Sequence, residues 1–582
     1  MSESTSLQNQ CRQFVESRGR ASETDRLHRL FDFCWEHKMR ETPEWATQLG
    51  HPGYDGLWTD WSLEGVEARR ESIDLQIRAL ESISREQLEA EDQLSYDLFR
   101  WTLDDEKVEY SFPKELLPLT HMDGVQQDAA RILAMMPART PEQVGNIECR
   151  LDRLPMLIDQ TIALMREGMR RGITHPCVTM AEVPSQIKNQ LVDKPTESPM
   201  LAALAGISLE TADSRRIQLI SDAERLYTNK VKPSLSKLLT FVADEYIPAC
   251  RRTTAWSELP RGREWYEWHV ARNTTTDMTP DEVYAVGQAE VARIRSEMNR
   301  VMKDAGYSDF GAFCEHLRSD AKFYFNKPDE LLTGYRDIVK RVDPELVRFF
   351  GVLPRLPYGV TPIPSYAERS QTTAYYQPGS LKGGRPGYYY ANTYNLKARP
   401  KWEMEALSLH EAVPGHHLQI ALAQEMENLP EFRKNLWITA YGEGWALYSE
   451  SLGEQMGFYQ DPYSKFGQLS YEMWRAVRLV VDPGLHVKGW SRKQAIDFFA
   501  ANSGKPLHDI TVEIDRYIVW PGQAISYKIG ELKIKALRKT AEAGLGERFD
   551  IRAFHDELLG SGCIPLSMLE NRMKAWLERT SR

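Results

Sequence analysis

Residues 400–430 read PKWEMEALSLHEAVPGHHLQIALAQEMENLP. Pro400 suits the first turn of a helix, KWEMEALSL is rich in helix formers, and Pro430 marks the stop. Inside this helix lie His410, Glu411, His416 and His417. Neutral imidazoles are good zinc ligands, and a glutamate beside the first ligand can take a proton from a water activated by the metal. In a regular helix His416 would stand roughly 240° around and about 9 Å along from His410, and His417 about 10.5 Å along, so neither could share an ion with it. Pro414 removes the difficulty, because it cannot donate to the His410 carbonyl and the helix must be interrupted there. A bulge that loops out Pro414 and Gly415 brings His416 to the place normally held four residues on. His417 would need three residues looped out.

The chain has 582 residues, 42% of them hydrophobic and 27% charged, the composition of an ordinary globular protein with room for more than one folding unit. Its 73 Lys and Arg against 83 Asp and Glu give a net charge of −10. With no long basic run, a nucleic-acid partner is not expected. No apolar stretch is long enough to span a bilayer, so no membrane partner is expected. The opening MSESTSLQNQCRQF has no apolar core for export. The seven cysteines are scattered and form no CxxC, which reads as reduced thiols. Both features predict a cytoplasmic protein.

Residues 1–261 read as a helical lobe and 262–582 as a second lobe carrying the histidines. The stretches 84–103, PEQVGNIECRLDRLPMLIDQTIALMREGMRRG and SRRIQLISDAERLYTNKVKPSLSKLLTFVADEYI show helical spacing. Thr279, Pro280, Asp281 and Glu282 make a strong helix start. Between them and the histidines the periodicity lapses. TTAYYQ (372–377) and GYYYANTY (387–394) are strand candidates joined by the turn-rich PGSLKGGRP, which predicts a small sheet at about 370–395. Tyr390 and Asn392 in that sheet are candidate substrate contacts, with a half-buried structural role the alternative.

A third ligand should come from another helix, and LWITAYGEGWALYSESLGEQMG (436–457) offers Glu443 and Glu450, seven residues apart on one face. Carboxylates on a stripe that also carries Leu447 are unusual, since lone buried charges are costly. His486 after Asp482-Pro483-Gly484, read as a helix breaker, and Tyr527 are candidate hydrogen-bond donors to an oxyanion. Arg475, Arg478 and Asp482 share a helix face. They read either as a guanidinium fork for a substrate carboxylate or as a buried Arg–Asp pair, and Arg516 with Tyr517 carries the same ambiguity.

Four motifs fall in order: HEAVPGHHLQ (410–419), EGWALYSE (443–450), RLVVDPGLH (478–486) followed by GWSRKQAI, and PGQAISYKIG (521–530). Together they resemble the bacterial family called domain of unknown function 885, over residue 270 to the C-terminus. The first motif is similar to the HExxH signature of metallopeptidases. The family in turn resembles helical gluzincin peptidases of the oligopeptidase F and thermostable carboxypeptidase type.

The resemblance implies a mainly α, large two-lobed fold with a small sheet beside the zinc helix, whose edge would pair with extended substrate. It also implies one Zn2+ per chain held by His410, His416 and Glu443. His416 is matched to the ligand by the Gly-His-Ala-Leu run of those peptidases, and Glu443 by their E-x-x-[AS]-x-x-x-E pattern. Glu411 is then the general base, with His486 and Tyr527 as oxyanion donors. Glu450 and Asp482 would orient ligands from behind, while His417, Arg478 and Arg516 would meet substrate. The expected activity is cleavage of peptide bonds in short peptides. A zinc amidase for acylated amino acids and a zinc-containing scaffold without turnover are the alternatives. Oligomeric state is left open.

Overall fold

The computed structural model describes residues 4–19, 21–205, 214–364, 368, 372–380 and 384–582. It is mainly helical, with one three-stranded sheet among the described residues. The chain divides into two compact units. One holds Met1–Thr254 with Glu258–Pro260 and Pro430–Phe432; the other holds Ala255–Ser257, Arg261–Leu429 and Arg433–Arg582.

The first unit is organised on helix α1, Pro141–Arg170. Thr140 and Gln143 close a reciprocal capping box at its start and Pro141 takes the first position. Val144, Ile147, Leu151, Leu154, Ile158 and Ile162 recur at helical spacing and are buried against Tyr227, Leu235, Leu238, Val242 and Tyr246. Two π-helical turns, Tyr227–Val231 and Phe241–Tyr246, stand just before Pro233 and Pro248. A proline has no N–H to give the preceding turn, and a widened turn accommodates it.

The second unit contains α2, Pro280–Asp304, whose start after Thr279 is as expected and where Thr279 and Glu282 also close a reciprocal capping box. Helix α3 is Pro328–Phe349. Strands β1 (Tyr358–Pro362), β2 (Ala374–Gln377) and β3 (Gly387–Ala391) follow. The sheet order is β1-β3-β2, with β1 parallel and β2 antiparallel to β3. The two strands expected from the sequence are present and paired. β1, with its glycine and terminal proline, was not legible. Within the PGSLKGGRP connector Leu381–Gly383 lie outside the described residues.

The remaining elements are α4 (Met404–Glu411), α5 (His416–Glu425), α6 (Thr439–Leu452), α7 (Pro462–Val487), α8 (Leu507–Val519) and α9 (Ser526–Leu545). Two helix pairs pack closely because glycine removes the Cβ. α2 lies on α7 at Gly287, where a Cβ would come within 2.6 Å of the Leu479 Cβ. α6 lies on α9 at Gly444 and Gly530; a Cβ on Gly444 would stand 2.5 Å from the Gly530 Cα, and one on Gly530 would overlap the Ala440 carbonyl.

Two local expectations are corrected. Asp482-Pro483-Gly484 does not break a helix, since α7 runs through it to Val487. Leu479, Val480, Val481 and Leu485 are fully buried on that stretch, so packing outweighs the hydrogen bond that Pro483 forgoes. The histidine segment is not one bulged helix either. α4 and α5 are separate, and Ala412–Gly415 between them follow neither.

Candidate metal centre

Four residues of irregular backbone set the site. α4 stops at Glu411, the Val413–Pro414 bond is cis, and α5 begins at His416 after Gly415. The His417 amide donates to the Ala412 carbonyl at 3.1 Å, and the Trp445 indole N–H from α6 donates to the Pro414 carbonyl at 2.8 Å. A Cβ on Gly415 would overlap the His410 carbonyl oxygen and reach 2.5 Å from that of Leu409. Glycine is therefore required by close approach, because φ at Gly415 is an ordinary −72°.

The interruption turns His416 back toward His410, with ring centroids 4.8 Å apart and planes at 85°. Glu443 arrives from the first turns of α6. Its Oε2 lies 3.4 Å from His410 Nε2 and 3.4 Å from His416 Nε2, and all three atoms lie within 4.8 Å of one another. Among the described residues this is the one grouping of three such side chains able to share an ion.

The spacing fits zinc. Ligand atoms about 2.0–2.1 Å from a tetrahedral ion stand about 3.3–3.4 Å apart, whereas a charge-assisted hydrogen bond would close to about 2.7–2.9 Å. Glu443 Oε2 is buried and takes no hydrogen bond, as a ligand oxygen would be. The electrostatics agree. Burial disfavours the His410 imidazolium, but the Glu443 and Glu450 carboxylates on either side prevail and raise its pKa to about 9. Burial likewise opposes charge on Glu443, yet His416 and His410 hold its pKa well below the carboxylate range. The centre of the triad favours positive charge.

Glu450 stands behind His410, its Oε1 2.8 Å from His410 Nδ1 and 3.4 Å from the Arg475 guanidinium. Both residues are buried. This holds His410 in the tautomer that presents Nε2 to the centre. Arg475 thus pairs with Glu450 and not with Asp482. Tyr527 stands at the start of α9, the helix that packs on α6 through the Gly444–Gly530 contact. Burial raises its pKa first, and the Glu443 charge adds to that. Glu411 is half-buried at the end of α4, and its charge is felt by Tyr335 on α3 and Tyr389 on β3.

Several expected site residues are placed elsewhere. His486 is fully buried: the Trp256 amide donates to its Nδ1 at 3.3 Å and its Nε2 meets the Tyr517 carbonyl at 3.0 Å. With both ring nitrogens on backbone groups, it has no donor left for an oxyanion. Asp482 accepts from the Tyr266 hydroxyl at 2.6 Å and the Gly522 amide at 3.1 Å, so it pins the turn before α9 and orients no ligand. His417 is 2% exposed, packs on Tyr358 and meets the Tyr376 hydroxyl at 2.8 Å. It ties α5 to β1 and β2 and is withdrawn from the substrate contacts. Asn392 is also withdrawn, because its side-chain amide donates to the Glu368 and Thr372 carbonyls. Tyr390 is half-buried and stacks on Tyr375 with centroids 5.0 Å apart.

Sequence reasoning missed Trp445 and Glu513. Trp445 stood in the EGWALYSE motif, and a buried indole must find an acceptor. Glu513 carried no signal beyond its spacing from Arg516 and Tyr517.

The family described as "Bacterial protein of unknown function (DUF885)" matches residues 43–573. A crystal structure of "the putative lipoprotein from Colwellia psychrerythraea" is similar with a TM-score of 0.91 and 25% identity, over 96% of this chain and 100% of that one. "A putative lipoprotein of unknown function from Shewanella oneidensis" is similar with a TM-score of 0.75 and 18% identity, over 95% and 100%, and shows a shared fold alone. No protein of curated function matches. Neither structure nor the family description names a peptidase. The cytoplasmic assignment is corrected: both solved structures are described as lipoproteins, a membrane-anchored class. No helix among the described residues is long and apolar enough to cross a membrane.

Proposed function

The chain belongs to the bacterial proteins of unknown function DUF885, a membership that fixes no chemistry, and we propose from the site itself a zinc-dependent hydrolase that cleaves amide bonds in short peptides. His410, His416 and Glu443 hold one zinc per chain. When bound, the ion supplies Lewis-acid activation of water and of the scissile carbonyl. The observation that carries the reading is the pair of 3.4 Å separations around a buried, otherwise unsatisfied Glu443 oxygen.

Glu411 takes a proton from the attacking water and passes it to the leaving nitrogen as the C–N bond breaks. The water oxygen ends on the carbonyl carbon, giving a carboxylate and an amine. The Tyr527 hydroxyl donates to the oxygen on which charge develops. Among the described residues β2 has no strand on its outer side, and it packs on α4, so an extended peptide adds there as a further strand.

The test is Glu411→Gln. The amide cannot accept the proton, so the variant retains one zinc by elemental analysis and loses about a hundred- to ten-thousandfold in turnover of a short-peptide library. Near-wild-type turnover in Glu411→Gln, or a purified protein that takes up no zinc, overturns the reading.

A further inference from the structure

Beside Tyr527 lies a second polar cluster that the hydrolytic chemistry does not use. Arg478 reaches in from α7 and is 6% exposed. Its Nε donates to the Tyr517 hydroxyl at 2.9 Å and its Nη2 to Glu513 Oε2 at 3.3 Å, while Nη1 is buried with no hydrogen-bond partner. Arg516 from α8 donates through Nη2 to the same Glu513 oxygen at 3.0 Å and through Nη1 to Gln523 at 2.6 Å; its Nε is also buried and unpartnered. The Tyr517 hydroxyl donates to that oxygen as well, at 2.7 Å. Two guanidinium groups therefore share one carboxylate. Asp482, the other carboxylate whose field Arg516 feels, is engaged by Tyr266 and Gly522.

A buried surplus cation with unused N–H groups is costly unless an anion completes it. The position of the cluster says which anion. The Arg478 guanidinium carbon lies 4.5 Å from the centroid of the Tyr527 ring. The same tyrosine feels the charge of Glu443 as well as those of Arg478 and Arg516. Tyr527 thus packs against one arginine of the pair and stands on the helix that packs on the one carrying Glu443. A planar guanidinium with free N–H groups matches a carboxylate and discriminates against a neutral amide.

We propose that Arg478 and Arg516 form a subsite for the free C-terminal carboxylate of a short peptide, which makes the protein an exopeptidase of the carboxypeptidase or dipeptidase kind. The proposal rests on the hydrolase reading for its scissile bond, but the subsite is tested by binding alone. The probes are a short peptide with a free C-terminus and its C-terminal amide, titrated calorimetrically into zinc-loaded Glu411→Gln protein, which does not consume them. A charge-assisted pair corresponds to tenfold to a hundredfold, so the free acid binds tighter by about that factor. Arg478→Gln removes most of the difference by weakening the acid and leaving the amide unchanged. Because Arg478 also holds Tyr517 and Glu513, the acid-to-amide comparison in the parent protein stands as the decisive measurement. Equal affinities, or binding of neither peptide, overturn the subsite. Discrimination in binding with no hydrolysis of either peptide by the native enzyme leaves the subsite standing and fells the hydrolase. Hydrolysis of both at equal efficiency does the reverse.

Discussion

Substituting Glu450 by Gln separates what the buried Arg475–Glu450–His410 chain does for folding from what it does for the metal. Glutamine keeps an oxygen that can accept from His410 Nδ1, so the tautomer is retained, but the negative charge 3.4 Å from Arg475 is gone. Arg475 is 6% exposed and Glu450 fully buried, so the cation left behind is not rehydrated. Removing one partner of such a pair costs about 3–5 kcal/mol. The Tyr471 carbonyl at 3.2 Å and the Tyr471 ring at 4.7 Å still face the guanidinium, which places the loss near the lower end, about 3 kcal/mol. For zinc, losing the carboxylate behind a ligand histidine weakens binding about 10- to 100-fold, again toward the lower end because the hydrogen bond survives. Urea unfolding of metal-free protein measures the first quantity and competition with a chelator the second. Adding Arg475→Met removes the stranded cation; it recovers most of the stability and none of the zinc affinity. Wild-type zinc affinity in Glu450→Gln, or a double variant that regains it, refutes the assignment of Glu450 as the residue that tunes His410.

Three further outcomes are expected. His416→Ala abolishes stoichiometric zinc binding, while His417→Ala retains the metal and loses stability through the Tyr376 contact; elemental analysis showing the opposite pattern reverses the ligand assignment. Tyr527→Phe lowers kcat about 100- to 1,000-fold with little change in KM, and an unaltered kcat removes it as the oxyanion donor. Burial raises the Asp482 pKa to about 7, above its unfolded value of about 3.9. Its contribution to stability is therefore complete below the unfolded value and is lost as pH rises through about 7. Unfolding free energy should fall less steeply from about pH 5 to 8 in Asp482→Asn than in the parent, and identical slopes would show that Asp482 is charged throughout.

The sequence by itself determined the helical class, the capped start at Thr279–Pro280, two of the three strands, and His410, His416, His417, Glu443 and Glu450 as candidate ligands, among which the family resemblance chose His410, His416 and Glu443. These are local or nearly local properties. Capping needs residues three apart, and a strand needs alternation. The interruption between His410 and His416 follows from a proline that cannot donate. The sequence also narrowed the third ligand to one helix, because two acidic residues on an apolar stripe conflict with burial unless something pairs with them. It did not determine which polar residues the fold spends on structure. His486, Asp482, His417 and Asn392 are as reactive on paper as His410 and Glu443. Each became structural because another part of the chain supplied its hydrogen-bond partner: Trp256 and Tyr517, Tyr266 and Gly522, Tyr376, and the Glu368 and Thr372 carbonyls. Conversely, the glycine contact between Gly444 and Gly530 packed α9, which carries Tyr527, on the helix of Glu443, and Arg478 and Arg516 converged on Glu513 from different helices. A buried polar atom is structural if the fold satisfies it and open to a ligand if it does not. Only the tertiary structure holds that account, since most of the partners lie tens to hundreds of residues away.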